Sequence, residues 1–245
     1  MNVKEYLVNK MKEGTIHMAL LDPDKQDCLD AGAIAKKMKE AGTDAIMIGG
    51  STGVTSENLG DTAKAIKEAS GLPTIHFPGS PQALSKDVDA IFFMSMVNSV
   101  DPFWIINAQA GASVYIKKLG IESISLGYII VEPGMKVGEV GKAAAIGHND
   151  IGRAVGYALA CEMFGMDLVY LEAGSGADRP VPPAMISAVK KEISIPLIVG
   201  GGIRTPEAAE AARLAGANAV VTGTFIERCS DDEMLRSVVS ASKGK

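Results

Sequence analysis

The residues best suited to chemistry stand where apolar runs end. In "LVYLEAGSGADRP" (168–180) four apolar residues lead into Glu172, and the side chains then all but vanish through Ala173, Gly174, Ser175 and Gly176. A carboxylate held at a strand end can take a proton from a hydroxyl within hydrogen-bond reach, so Glu172 is the candidate general base. The bare backbone behind it offers N–H groups to an anion without steric conflict. Glycine turns recur after the next two apolar runs, as "GGGI" (200–203) and "TGT" (222–224). One glycine pair would say only that the chain turns; three such turns on consecutive runs point to a phosphate cradle of backbone amides and a helix amino end.

A second polar group terminates the first two runs, where "LLDPDK" supplies Asp22 and "IGGST" supplies Ser51. Magnesium uses few protein ligands and recruits phosphate oxygens of the substrate, so one carboxylate and one hydroxyl suffice for a metal–diphosphate site. Asp-Pro-Asp is equally a good turn former, and spacing alone leaves both readings open. Lys25 is either a second cation beside a diphosphate or a solvated loop lysine. Tyr170, two residues before Glu172, shares its strand face. It either steers substrate or fills an interior.

The elements that must position these residues are legible as short apolar runs. They cover 16–22, 44–50, 73–77, 90–95, 126–132, 168–172, 196–201 and 219–223. Each is apolar almost throughout, as strands buried on both faces require. Between most of them the sequence is helical. Ile151, Val155, Leu159 and Met163 recur every four residues behind a cap at Asn149 or Asp150, and Thr205-Pro206-Glu207 opens a helix that Gly216 closes. "PGSPQALSKDVD" (78–89) is short and broken by proline, so the third crossover is expected to lack a full helix. Eight strands alternating with helices predict a single (β/α)8 TIM-barrel domain over 1–245, with "MNVKEYLVNKMKEG" as an extra N-terminal helix. An open doubly wound sheet is the alternative, but no GxGxxG follows the first strand. In a barrel, Asp22, Ser51, Glu132, Glu172, Gly201 and Gly223 would converge on one mouth, at the carboxyl ends of the strands.

Composition narrows the function classes. Apolar residues make up 47% of the 245, enough for a substantial core, and the net charge of −5 carries no basic block. Nucleic acid is therefore not an expected partner. No apolar run approaches the length of a membrane span, and the amino terminus is charged rather than signal-like. Cys28, Cys161 and Cys229 are odd in number and far apart, which fits a reduced cytoplasmic protein. His17, His76 and His148 are equally scattered, and a zinc site is not expected.

Taken in order, "LLDPDK", "IGGSTGVT", "YLEAGSG", "VGGGIRTPEAA" and "VVTGT" resemble the geranylgeranylglyceryl phosphate synthase family across nearly the whole chain. "YLEAGSG" is similar to the archaeal branch, where the bacterial heptaprenylglyceryl phosphate synthases carry "YLEYSG". The resemblance implies transfer of a geranylgeranyl group from its diphosphate to the 3-hydroxyl of sn-glycerol 1-phosphate. This is the first ether bond of archaeal membrane lipids. It implies magnesium on Asp22 and Ser51, and glycerol phosphate on Tyr170, Leu171, Glu172, Ala173, Gly174, Ser175, Gly176, Gly201, Gly202, Gly223 and Thr224. A homo-oligomer is also implied. The substrate is lipid-like, so peripheral membrane contact stays open, although no basic amphipathic segment marks a docking face.

Such a reaction needs an apolar channel, for which Phe77, Phe92, Phe93, Met94, Met96 and Trp104 are the material. The broken third crossover would leave room for it, with Trp104 closing its far end. A heptaprenylglyceryl phosphate synthase-like activity with a longer donor is one alternative, and two other readings compete. Another phosphate-binding barrel isomerase or lyase would need neither groove nor metal, and a non-catalytic phosphate sensor would have no use for Glu172.

Overall fold

Strands buried on both faces need apolar residues at most positions, and most of the eight runs supply them. The computed structural model describes residues 2–50, 53–229 and 231–244. Eight parallel strands close into a barrel in sequence order: β1 (Ile16–Leu21), β2 (Ala45–Ile48), β3 (Thr74–His76), β4 (Ala90–Met96), β5 (Glu122–Ile130), β6 (Leu168–Glu172), β7 (Leu197–Gly200) and β8 (Ala219–Thr222), with β8 pairing back to β1. Helix α1 (Val3–Glu13) precedes the barrel. The outer layer holds α2 (Cys28–Ala41), α3 (Ser56–Ser70), α4 (Ala108–Leu119), α6 (Ile151–Met163), α7 (Pro183–Glu192), α8 (Pro206–Leu214) and α10 (Asp232–Lys243), while the short α5 (Met135–Val140) and α9 (Thr224–Arg228) lie in the connections after β5 and β8. The expected TIM barrel is what the chain forms.

Strand alternation divides the apolar side chains into two layers. Met18, Met47, Ile75, Phe92, Leu126, Tyr128, Tyr170, Ile198 and Val221 fill the barrel. Their neighbours in sequence, among them Ile46, Ile48, Val169, Leu171, Val199 and Val220, pack outward against the helices. The extra helix α1 joins the inner layer: Val3, Leu7 and Met11, spaced by four, are buried against it.

β1, β2, β3, β7 and β8 are one to three residues shorter than their apolar runs, β6 matches its run, and β4 continues one residue further, to Met96. β5 departs the other way, beginning at Glu122 rather than 126. "ESIS" has too many polar residues to read as a strand, yet Ala90 pairs with Glu122 and the ladder starts there. The Glu122 carboxylate accepts from the N–H groups of Val3 (2.7 Å) and Lys4 (2.9 Å), satisfying amides that the first turn of α1 leaves open. No helix spans the third crossover, as the prolines predicted. It lies against α3 instead, where a Cβ on Gly60 would come within 2.8 Å of Ser85 Oγ. After β4 the chain makes a π-helical turn, Phe103–Asn107, before α4 begins. The caps at Asp150 and Thr205 form as their spacing predicted, accepting from Arg153 N and Ala208 N.

Candidate active site

Glu172 is the last residue of β6 and only 6% exposed. A carboxylate in such a place needs donors, and three surround it. Its Oε1 accepts from Gly174 N at 2.7 Å, and the phenols of Tyr170 and Tyr128 hydrogen bond to it. Burial pushes its pKa up, against the pull of these three donors, which favour the ionised form. A raised carboxylate pKa at a strand end is what a general base uses near neutral pH. Tyr128 arrives from β5, where it pairs in register with Tyr170 just as Ile130 pairs with Glu172. Phe77, one residue past β3, packs against both rings, with centroids 5.3 Å from Tyr128 and 5.9 Å from Tyr170.

On one side of Glu172 lies the glycine cradle, lined by Tyr170, Ser175, Gly176, Gly201, Gly202, Arg204, Gly223 and Thr224. Gly174, Gly176, Gly201 and Gly202 all have left-handed backbone, which turns successive N–H groups to one side. The three loops are tied together. Ser175 and Thr224 share a hydrogen bond of 2.6 Å between hydroxyls, and the Arg204 guanidinium donates to the carbonyls of Gly176 and Ala177. Gly200 has a different task from the one its place in "GGGI" suggests: a Cβ there would stand 2.2 Å from the Tyr170 hydroxyl, so it makes room for the phenol. Leu171 and Ala173 put their side chains into the outer core, and Ala173 has both backbone groups engaged, with Gly200 O and Gly134 N.

On the other side of Glu172 the space widens into an apolar cavity. Asp22 and Gly50 line one end, and Phe77, Met94, Met96, Trp104, Tyr128, Val137 and Val140 line the rest. Beyond Trp104 a second apolar crevice continues between β4 and α4, past Ile91, Phe93, Ala112 and Ile116. Trp104 therefore stands at the boundary between the two spaces. Asp22 follows β1 directly and is paired with the Lys25 ammonium. A Cβ on Gly49 would lie 3.7 Å from its Oδ1, so bare backbone faces the carboxylate. Among the described residues no three His, Cys, Asp or Glu side chains gather as a metal cage. Asp22, a hard oxygen donor at this cavity, suits a divalent cation that brings most of its ligands as substrate oxygens and water. Ser51 lies outside the described residues. Glu132 lines neither cavity nor cradle; it is exposed on the β5–α6 connection, where its carbonyl bonds His148.

A model of the PcrB family matches residues 8–242. The chain belongs to the PcrB family. Among its curated relatives, the geranylgeranylglyceryl phosphate synthase of Thermococcus kodakarensis is 52% identical over 234 residues, 96% of this chain and 93% of that protein. The crystal structure of (S)-3-O-geranylgeranylglyceryl phosphate synthase from Thermoplasma acidophilum, in complex with its substrate sn-glycerol-1-phosphate, superposes with a TM-score of 0.97 at 43% identity, covering the whole of both chains. The tryptophan synthase α chain of Legionella pneumophila shares the barrel alone, with a TM-score of 0.63 at 15% identity over 99% of this chain and 97% of that one.

Four residues that line the cavity or the cradle escape a reading of motifs. Tyr128 had a signal: "YII" in β5 and "YLE" in β6 carry tyrosine at the same register. Arg204 follows the glycines directly and was hidden by them. Lys136 reaches the cavity from α5, a short helix inside the β5–α6 connection that the sequence did not announce. Gln109 sits in the first turn of α4 as an ordinary helical polar residue, with nothing local to distinguish it.

Proposed function

We propose that the protein is a magnesium-dependent prenyltransferase that joins a geranylgeranyl group to the 3-hydroxyl of sn-glycerol 1-phosphate. One observation carries this reading: Glu172 lines both the glycine cradle and the apolar cavity, so one buried carboxylate faces both a phosphate site and a lipid-sized space. The geranylgeranylglyceryl phosphate synthases named among its relatives support the choice of substrates.

In this mechanism the cradle holds the glycerol phosphate by its anionic end, with Ser175, Thr224 and the amides of the glycine turns around it. That places the distal hydroxyl at Glu172. Glu172 accepts the hydroxyl proton as the glycerol oxygen bonds to the first carbon of the prenyl chain. The carbon–oxygen bond to diphosphate breaks, and diphosphate leaves with the electron pair. Asp22, with Ser51, would hold the magnesium, which when bound neutralises the charge gathering on the diphosphate. Lys25, paired with Asp22, and Lys136, from α5 in the cavity lining, add positive charge. The tail lies along Phe77, Met94, Met96 and Trp104. Each buried methylene contributes about 0.8 kcal/mol, so the tail provides much of the donor affinity. Tyr128 and Tyr170 keep Glu172 ionised and fixed, so that little reorientation remains at the moment of reaction.

The test is product formation from radiolabelled sn-glycerol 1-phosphate with prenyl diphosphates of several lengths, in magnesium or in EDTA. An organic-extractable, magnesium-dependent product with geranylgeranyl diphosphate is expected. No product with any donor, despite measurable glycerol-phosphate binding, would leave only the phosphate cradle and point to another barrel enzyme.

A further inference from the structure

The mouth cavity and the inner crevice share four lining residues: Pro78, Met94, Trp104 and Gln109. Gln109 is the polar one. Its amide nitrogen donates to two backbone carbonyls, that of Met94 on β4 and that of Trp104 in the π-turn, the latter at 3.2 Å. Met94 lies past the last pairing of β4 with β3, which joins Ile91 to His76, so β3 no longer flanks the strand there. The amide oxygen of Gln109 is buried and has no partner. An apolar side chain of similar shape would avoid that cost. The fold keeps it at the boundary between two apolar spaces, where the amide fastens the Trp104 turn to the strand. Ser95 Oγ ties the same two elements through Ile105 O at 2.7 Å, but Ser95 lines neither space.

We propose that Gln109 is a donor-selecting residue: its amide latches the Trp104 turn to β4 and keeps the inner crevice closed to a prenyl chain entering from the mouth. This rests on the prenyl-donor reading of the mouth cavity given above. With the latch intact, the length of chain accepted is set by the mouth cavity. Without it the Trp104 turn moves off β4, and the chain extends along Ile91, Phe93, Ala112 and Ile116. Each further isoprene unit then gains apolar burial, and preference shifts to longer donors.

The experiment is a competition between geranylgeranyl diphosphate and a longer donor, farnesylgeranyl or heptaprenyl diphosphate, at equal concentration with sn-glycerol 1-phosphate and magnesium. Wild type, Gln109→Ala, Gln109→Met and Ser95→Ala are compared. Both Gln109 variants should raise the ratio of long to short product by at least about tenfold, with KM for sn-glycerol 1-phosphate within about twofold of wild type. Ser95→Ala should keep the wild-type ratio. Gln109→Met fills the same length without an amide and guards against simple loss of folding. An unchanged ratio in both Gln109 variants overturns the latch. So does a wild-type ratio in Gln109→Met beside a raised one in Gln109→Ala, because bulk alone would then account for the selection. A raised ratio in Ser95→Ala overturns the assignment to Gln109, since any loosening of the turn would suffice. Wild-type protein that forms no ether with any donor overturns the prenyl-transfer reading itself and this proposal with it.

Discussion

Tyr128 and Tyr170 stand opposite each other in the β5–β6 ladder, their rings 5.2 Å apart, and both hydroxyls turn to the Glu172 carboxylate. Glu172 is thus held between opposing influences: burial raises its pKa, and the phenols together with Gly174 N lower it. A base works ionised, so turnover falls as pH drops through that pKa. Because the net shift is upward, the acidic limb of kcat should lie above that of an unperturbed carboxylate. Tyr128→Phe or Tyr170→Phe removes a hydrogen bond to the ionised form and should move the limb to still higher pH. Glu172→Gln should lose at least about 100-fold in kcat while binding sn-glycerol 1-phosphate normally by calorimetry. A limb that stays in place in both phenylalanine variants, or near-normal turnover in Glu172→Gln, would remove Glu172 from the role of base.

Gly201 decides whether that carboxylate has room. Its φ is +82°, and a Cβ would come within 2.3 Å of Glu172 Oε1 and 2.6 Å of Gly174 N. Gly201→Ala should therefore lose about 1–3 kcal/mol of stability and about 100-fold in kcat, because the base is displaced. Gly176→Ala is the control. Its φ is +78°, but nothing lies within 4 Å of a Cβ there, so it carries backbone strain without touching Glu172. Thermal unfolding should fall in both variants. A loss of kcat in Gly176→Ala as large as in Gly201→Ala would mean that strain, not displacement of Glu172, is responsible.

The barrel was legible because burial on both strand faces forces apolar runs, and eight such runs leave few other folds. Legibility failed where a polar residue serves the backbone. Glu122 reads as loop, yet it opens β5 because its carboxylate is occupied by the amides of α1. Glu172, Ser175, Gly176, Gly201, Gly202 and Thr224, which line the cradle, were readable because each falls where an apolar run gives way to a glycine turn. Tyr128, Lys136 and Gln109 come from other elements. Only barrel closure brings them to the same mouth, and no local spacing records it. Glu132 shows the reverse error: a polar residue ending an apolar run, which the chain turns aside before it can face the mouth.

Arg204 should prove a positioning residue for glycerol phosphate. Its guanidinium spans the carbonyls of Gly176 and Ala177, fastening the β7–α8 loop to the β6–α7 loop. Hydrogen bonds from a charged donor contribute about 1.5–3 kcal/mol each. Loss of the pair in Arg204→Ala should raise KM for sn-glycerol 1-phosphate by at least about tenfold and leave KM for the prenyl donor unchanged. Arg204→Lys should recover little, because an ammonium lacks the planar fork that reaches two carbonyls. Free guanidinium at low concentration should partly restore Arg204→Ala. Equal changes in both KM values would point instead to a general loss of structure.

Asp22 should govern the opposite end of the reaction. It is the hard anionic oxygen lining the apolar cavity on the β1 side, with Lys25 paired to it. Asp22→Asn keeps the shape and removes the charge. The magnesium concentration for half-maximal rate should rise by at least about tenfold, and donor affinity measured by calorimetry in magnesium should fall in step. Binding of sn-glycerol 1-phosphate in the absence of donor should not change, because Asp22 does not line the cradle. If Asp22→Asn leaves the magnesium dependence as it was, the cation is held elsewhere and Asp22 only shapes the turn after β1.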